Sequence, residues 1–353
     1  MIVETVSLRD YRSYARLELA LDPGLVLVVG PNGAGKTNLL EALHVGTQGF
    51  SPRTRSDAQL IRFGEGGARV ALGGHRDEAP LSVEVVLRAG AGKQARLNGI
   101  ALRSAEQLRS DLATLVFTPD RLAVVKGGPA VRRAYVDRAL GRLFPARTEL
   151  PGEYAAAVGQ RNAALRRVGL GVSSREALEP WTARTAALGA ALAQARSKAL
   201  ALLEPEVAVI GEALRLPGLR LEYRGEALSA QALDDRLDRD LERGATGLGP
   251  HLDDVGVLAG GRDLRLYGSQ GEQRLAVLAL LLGEAAAIAD RTGGPPLLLF
   301  DDVLSELDPE RRRALASLLA GRGQALVTAT DASFLPVAPD LLLTVQPGEV
   351  TRG

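Results

Sequence analysis

The segment Gly30-Pro31-Asn32-Gly33-Ala34-Gly35-Lys36-Thr37 constrains this chain more than any other. It follows the apolar run Leu25–Val29 and precedes Asn38-Leu39-Leu40-Glu41-Ala42-Leu43, which is patterned as a helix. Strand, glycine-rich turn and helix in that order are the setting a phosphate-binding P-loop requires. Glycine permits positive φ and a close backbone approach to a ligand. The N–H groups of the turn then form an anion nest, backed by the free amides at the start of the helix. Lys36 is placed to reach the β- and γ-phosphates of a nucleoside triphosphate, and Thr37 offers a hydroxyl to Mg²⁺. The expected nucleotide contacts are Gly30, Pro31, Asn32, Gly33, Ala34, Gly35, Lys36, Thr37 and Asn38.

The 353 residues allow about two domains, or one large domain with an insertion. A net charge of +1 means that any nucleic-acid surface must come from local patches. The chain has no cysteine, which excludes disulfides, zinc–thiolate sites and thiol catalysis. His44, His75 and His251 lack metal-ligand spacing. The N-terminus does not read as a secretion signal. No stretch reaches the roughly twenty uninterrupted apolar residues that cross a bilayer. A soluble, cytoplasmic protein without a membrane partner is expected.

Periodicity divides the chain in three. Strands are expected at residues 2–8, 16–21, Leu25–Val29, 83–88, 95–102 and Thr114–Phe117, the fifth containing the hairpin signal Asn98-Gly99. Residues 129 to 243 read as mostly helical, with helices at 130–143, 153–168, 182–203 and 230–243. In the last of these, Leu233, Leu237 and Leu241 share one face and a mixed charge run covers the other. Strand signals then return at 255–258 and 263–267, followed by a helix at 272–290. After it come the strand Leu297–Phe300, the helix Pro309–Leu319 and strands at 324–328 and 341–345. This predicts an α/β fold with a mixed-sheet core. Residues 1–120 and 244–353 form a split ATPase lobe, and 121–243 form a mainly helical lobe.

Leu297–Phe300 ends in Asp301 and Asp302, the form of a Walker B strand. A strand buried on both faces of a parallel sheet is apolar throughout. Its carboxyl end lies on the ligand-binding rim. Asp301 is the expected Mg²⁺ ligand beside Thr37, and Asp302 is placed to orient or deprotonate water. Upstream, Ser269-Gln270-Gly271-Glu272-Gln273 opens a helix. Ser269 and Glu272 have capping-box spacing, and the segment also fits the signature motif of ABC-type ATPases. Ser305-Glu306-Leu307-Asp308 matches the D-loop of that superfamily.

The order P-loop, helical insertion, signature serine, Walker B, D-loop resembles an SMC-like ABC ATPase head. The chain looks like a member of the RecF family of recombinational-repair proteins. The resemblance rests on the P-loop with Asn38-Leu39-Leu40-Glu41-Ala42, and on Leu8-Arg9-Asp10-Tyr11-Arg12-Ser13-Tyr14 near the start. Phe117-Thr118-Pro119-Asp120, Lys126-Gly127-Gly128-Pro129 and Gly249-Pro250-His251-Leu252-Asp253-Asp254 also carry it, with Ser269 to Arg274. The chain departs from the ABC pattern at Gly268 and Gln270 in the signature, at Asp302 where glutamate is usual, and at Thr328-Ala329-Thr330 where a switch histidine stands.

The resemblance implies ATP and Mg²⁺ as cofactors, with Lys36, Asp302 and Thr330 as catalytic residues. It adds Ser269, Gly271 and Asp308 as nucleotide contacts made across an ATP-dependent homodimer. It implies slow hydrolysis and DNA binding at double-stranded and single/double-strand junctions, in cooperation with RecO and RecR to load RecA. Arg53, Arg55, Lys126, Arg132 and Arg133 are the candidate phosphate contacts on DNA. The rival readings are the energy-coupling ATPase of a transporter and another SMC-like DNA-maintenance ATPase. The second would need a long heptad arm, and no sustained heptad repeat is present. His251, Asp253 and Asp254 are expected to be structural residues near the site.

Overall fold

Alternating burial along the first strands builds an antiparallel sheet. A computed structural model describes residues 1–76 and 78–353. Strands β1 (Ile2–Tyr11) and β2 (Tyr14–Ala20) form a hairpin. After β3 (Leu25–Val29) and helix α1 (Lys36–Gln48), the chain returns as β4 (Gly67–Arg76), β5 (Ala79–Arg88), β6 (Gly92–Leu97) and β7 (Ile100–Ala101). The order is β2-β1-β4-β5-β6-β7. Val6, Leu8, Val70, Leu72, Val83 and Val85 point inward, to a core they share with Leu39 and Leu43 of α1. The opposite face is polar, as expected for an antiparallel sheet with one side in water. Asn98 and Gly99, both at positive φ, make the turn between β6 and β7.

The second sheet carries the nucleotide motifs. It consists of β8 (Thr114–Phe117), β12 (Leu297–Phe300), β13 (Ala325–Ala329), β3, β14 (Leu341–Gln346) and β15 (Glu349–Arg352), in the order β15-β14-β3-β13-β12-β8. All pairs are parallel except β14–β15. Every residue of β8, β12 and β13 is buried, which accounts for their apolar character, interrupted only by Thr114 in β8 and Thr328 in β13. Because β3 pairs with β13 and β13 with β12, all in parallel, the P-loop and Asp301 leave the same edge of the sheet from strands separated only by β13.

By contacts the chain forms two compact units. The first comprises Met1–Arg121, Ala213–Arg215 and Glu284–Gly353; the second comprises Leu122–Glu212 and Leu216–Gly283. The second contains helices α2 (Pro129–Leu143), α3 (Leu150–Gly169), most of α4 (Glu179–Ala213) and the start of α5 (Gln270–Thr292). It also holds a small antiparallel sheet of β9 (Arg220–Arg224), β10 (Asp254–Ala259) and β11 (Arg262–Asp263), in the order β11-β10-β9. Residues 244–283, assigned from sequence to the ATPase lobe, therefore lie in the second unit. The ladder between β10 and β9 ties this segment to the insertion.

Local chemistry explains the other departures. Residues 264–267 form a helical turn where a strand was expected, because the Asp263 carboxylate caps it by accepting from the Arg265 amide. The expected helix at 230–243 is two short helices, Ala230–Asp234 and Leu237–Arg243. The first is capped by Ser229, and the second closes on Gly244 in the left-handed region. Helix α4 runs through Pro205. Buried Val207 and Ile210 hold its last turns, with Val207 packed against Gly283.

Candidate nucleotide-binding site

The P-loop leaves β3 at Gly30 and enters α1 through Gly35, an N-cap at φ 118. A Cβ at Gly30 would stand 2.3 Å from the Val345 carbonyl oxygen, so this position requires glycine. The first amides of any α-helix lack intrahelical acceptors, and a glycine cap supplies no side chain to them. The start of α1 thus presents donors and a positive dipole end. The β1–β2 turn braces this arrangement. Tyr14 Oη donates to the Gly35 carbonyl at 3.0 Å, and Asn38 Nδ2 donates to Ser13 Oγ at 3.0 Å. The Arg12 guanidinium forks onto Glu41 of α1, with both bonds at 2.8 Å. The Glu41 side chain is 1% exposed. The motif 8–14, singled out in the sequence without a role, therefore supports the P-loop.

Asp301 sits at the end of β12, where its Oδ1 accepts from Thr37 Oγ1 at 2.9 Å and from Thr328 Oγ1 at 3.0 Å. Burial raises its pKa from the ordinary aspartate value, and the two hydroxyls offset part of that rise. Asp302 follows at φ 50, a left-handed conformation rare outside glycine. It is held by its amide, which donates to Thr328 Oγ1 at 2.8 Å, and by its carbonyl, which accepts from Ser305 Oγ. Lys36 Nζ donates to the carbonyls of Gly30 at 2.6 Å and Pro31 at 3.0 Å. Desolvation lowers its pKa, while Asp302 and Asp301 act in the opposite direction.

These groups meet in one cavity of about 370 Å³, lined by Asn32, Gly33, Gly35, Lys36, Thr37, Asn38, Arg53, Pro119, Asp301, Asp302 and Thr328. The donors suit a triphosphate and its cation. A nest of amides, the Lys36 ammonium and the Arg53 guanidinium face the carboxylates of Asp301 and Asp302 and the hydroxyls of Thr37 and Thr328. Hard oxygen ligands of this kind fit Mg²⁺, which binds through one or two carboxylates and takes its remaining ligands from phosphates and water. Among the described residues no group of three or more acidic, histidine or cysteine side chains could hold a metal by itself. Thr37 and Asp301 are the residues that would hold the cation.

Arg53, expected on DNA, lines this cavity, with Nη1 3.4 Å from Asn38 Oδ1 and 3.5 Å from Glu41 Oε2. Thr330 lies just past the end of β13 and is exposed; the cavity position belongs to Thr328, two residues earlier. Asp308 caps helix α6 (Pro309–Leu319), accepting from the Arg311 amide at 2.9 Å. Ser269 and Gly271 belong to the second unit and are exposed. Ser269 and Glu272 exchange the two bonds of a capping box, at 3.2 and 2.8 Å.

Arg55 and Lys126 are exposed. Arg132 is not available to a phosphate. Its side chain is 5% exposed, it forks onto Asp254 at 2.7 Å, and Nη1 donates to the Gly127 carbonyl. Arg133 donates to the Asp253 carbonyl, and desolvation lowers its pKa. His251 bridges Tyr154 Oη at 2.8 Å and the Thr246 carbonyl at 3.0 Å, and Asp253 accepts from Tyr223 Oη. The 249–254 loop is thus a hydrogen-bonded structural corner of the second unit. Sequence reading missed Thr328 and Arg53 as cavity residues. The available signal for Thr328 was a polar residue in an otherwise apolar strand.

Residues 2–351 match the family model described as RecF/RecN/SMC N terminal domain. The DNA replication and repair protein RecF of Heliobacterium modesticaldum is 36% identical over 344 residues, covering 94% of this chain and 92% of that protein. Its counterpart in Anaeromyxobacter dehalogenans is 39% identical over 358 residues, covering 95% and 94%. The solved structure of the recombination mediator protein RecF-ATP in the RecFOR pathway gives a TM-score of 0.86 at 27% identity, over 99% of this chain and 97% of that one. An Smc head bound to the C-winged helix domain of ScpA gives 0.62 at 17% identity and shares the fold. No helix among the described residues is long and apolar enough to cross a membrane. Similarity that extends across both units, rather than over the P-loop alone, places this chain in the RecF family, on an ABC-type ATPase head fold.

Proposed function

We propose that this chain is an ATP-dependent DNA-binding repair protein in which nucleotide controls assembly. The observation that carries the reading is the convergence of Lys36, Thr37, Asp301 and Asp302 on one cavity in a RecF-family chain. Bound ATP–Mg²⁺ supplies the phosphoanhydride. The P-loop amides and Lys36 hold its phosphates, while Thr37 and Asp301 hold the cation. Arg53 adds a forked cation at the same cavity and is assigned to nucleotide. Asp302 orients the attacking water. Its side chain is one methylene shorter than glutamate, which favours slow hydrolysis.

Ser269, with the helix start behind it and Gly271 beside it, reaches the nucleotide of a facing copy, and Asp308 lies across the same junction. Two ATP molecules then bridge a homodimer, which holds duplex or gapped DNA until hydrolysis releases it. RecO and RecR are the expected partners in placing RecA. Residues 1–121 and 284–353 act as the ATPase lobe, and the second unit presents the signature serine.

Light scattering with and without ATP–Mg²⁺ tests the assembly step. The expected result is monomer without nucleotide, dimer with it, and monomer in both states for Ser269→Arg. Dimerisation indifferent to ATP overturns the reading. A gel shift on gapped duplex, with and without ATP, tests the DNA step.

A further inference from the structure

The outer face of the β1–β7 sheet carries a row of arginines that the nucleotide site does not use. The ladders place Arg16 of β2 opposite Arg9 of β1, and Arg9 opposite Arg69 of β4. Like charges directly opposite each other across strands are destabilising, and Arg9 and Arg16 are 78% and 82% exposed. Glu84 on the same face is engaged by Arg69 and Arg96, and Glu18 lies 4.0 Å from Arg16. Arg9, Arg69 and Arg88 share a groove of about 350 Å³ that Asp10 also lines, 3.7 Å from Arg9, with Gly66 and Gly67 on its wall, leaving three guanidinium groups against one carboxylate.

The turn leading into that wall carries Phe63, whose side chain is fully exposed at 102%. The Arg62 amide donates to the Asp10 carbonyl, so the turn is anchored at the end of β1, beside Arg9. Gly64, at φ 90, and Gly66 have open space where a Cβ would stand, and the tip projects into solvent.

We infer that this face is a docking surface for the single/double-strand junction of DNA, with the arginine row on duplex phosphates and Phe63 stacked on the first unpaired base. The inference rests on the DNA-binding reading above and names the surface. Strands about 4.8 Å apart set Arg16 and Arg69 about 10 Å apart, the axial length of about three base pairs. Guanidinium forks match phosphate oxygens, and a polyanion relieves the repulsion along the row. Stacking on an aromatic ring accepts any base, but it needs a base outside the duplex. A basic groove with an exposed ring at one end therefore selects a junction by shape.

Fluorescence anisotropy of the full chain with ATP–Mg²⁺ tests this, using plain duplex and gapped duplex across a salt series. Arg9→Gln/Arg88→Gln should weaken both substrates alike and make the slope of log K against log salt shallower by about 2. Arg9→Lys/Arg88→Lys should keep the slope. Phe63→Ala should leave plain duplex unchanged and remove about tenfold of the preference for gapped DNA. The proposal is overturned if the unsubstituted protein binds DNA and these variants bind with the same slope and the same preference. If the unsubstituted protein binds neither DNA in any nucleotide state, the DNA-binding reading fails and takes this surface with it.

Discussion

Asp301 lies at the end of β12, accepting from the hydroxyls of Thr37 and Thr328. Its pKa is raised in the folded chain by burial, while in the unfolded chain it titrates in the ordinary range. Over the window between the two, the folded state binds more protons, so stability falls as pH rises through it. The ionised carboxylate therefore destabilises the nucleotide-free protein at neutral pH, and Asp301→Asn should raise its Tm at about pH 7.5. The gain should shrink to nothing as the pH is lowered to about 4, where the unfolded carboxylate protonates. On the proposed function, the same variant should lose ATP hydrolysis on the order of a hundredfold or more, because it removes the charge proposed to hold the cation. Thermal melts across pH together with a phosphate-release assay check both halves; a Tm gain that persists at low pH would contradict the desolvation argument. Arg12 is the opposite case. Arg12→Ala leaves the buried Glu41 carboxylate without its fork and should cost about 3 kcal/mol. Glu41→Gln in the same chain should recover much of that in urea unfolding, since a neutral amide needs no counter-charge. The P-loop and Asp301 were legible in sequence because contiguous motifs carry them. Arg53 and Arg132 were not, because an arginine in a one-dimensional string looks the same whether it faces solvent, a nucleotide cavity or a buried aspartate.

Elements were legible where burial was uniform or strictly alternating. β8, β12 and β13 are buried on both faces and read as largely apolar segments, β12 without a polar residue. β4 escaped notice because its sequence, Gly67-Ala68-Arg69-Val70-Ala71-Leu72-Gly73-Gly74, has small residues on its outer face and little β-branched bulk. Its position is secured by ladders to β1 and β5, which no local pattern reveals. On the inner face the small residue belongs to the helix: a Cβ on Gly46 of α1 would lie 2.5 Å from Leu72 Cδ1 and 3.2 Å from Val70 Cγ1 of β4. Glycine inside a helix costs about 1 kcal/mol relative to alanine, and close packing against the sheet offsets that. Gly46→Leu should overpack this contact and destabilise by about 1–3 kcal/mol. Because α1 also carries Lys36 and Thr37, ATP affinity should fall with it. Isothermal titration beside chemical denaturation separates the two effects; full affinity and full stability in Gly46→Leu would show that helix and sheet are less tightly coupled than the geometry implies.

At the scale of the molecule, the sequence-drawn lobe boundary and the contact-defined one differ at residues 244–283. In the contact-defined division, β10 pairs with β9 of the insertion, and Ser269 follows it in the same unit. The P-loop and Ser269 thus belong to different compact units of one chain, and the proposed assembly joins the P-loop of one copy to Ser269 of another. A ligand that binds only the folded state stabilises it by about 2.7 kcal/mol at a hundredfold excess over Kd. If the bound state is also dimeric, the apparent stability must depend on protein concentration, because unfolding then dissociates the pair. Differential scanning calorimetry with saturating ATP–Mg²⁺ should show a Tm that rises with protein concentration, whereas the nucleotide-free protein should melt at a constant temperature. Ser269→Arg should keep the ATP-induced rise at low concentration, since its own P-loop is intact, and lose the dependence on concentration. Loss of the ATP-induced rise itself in this variant would mean that Ser269 acts on the nucleotide of its own chain, and the two-copy site would have to be abandoned.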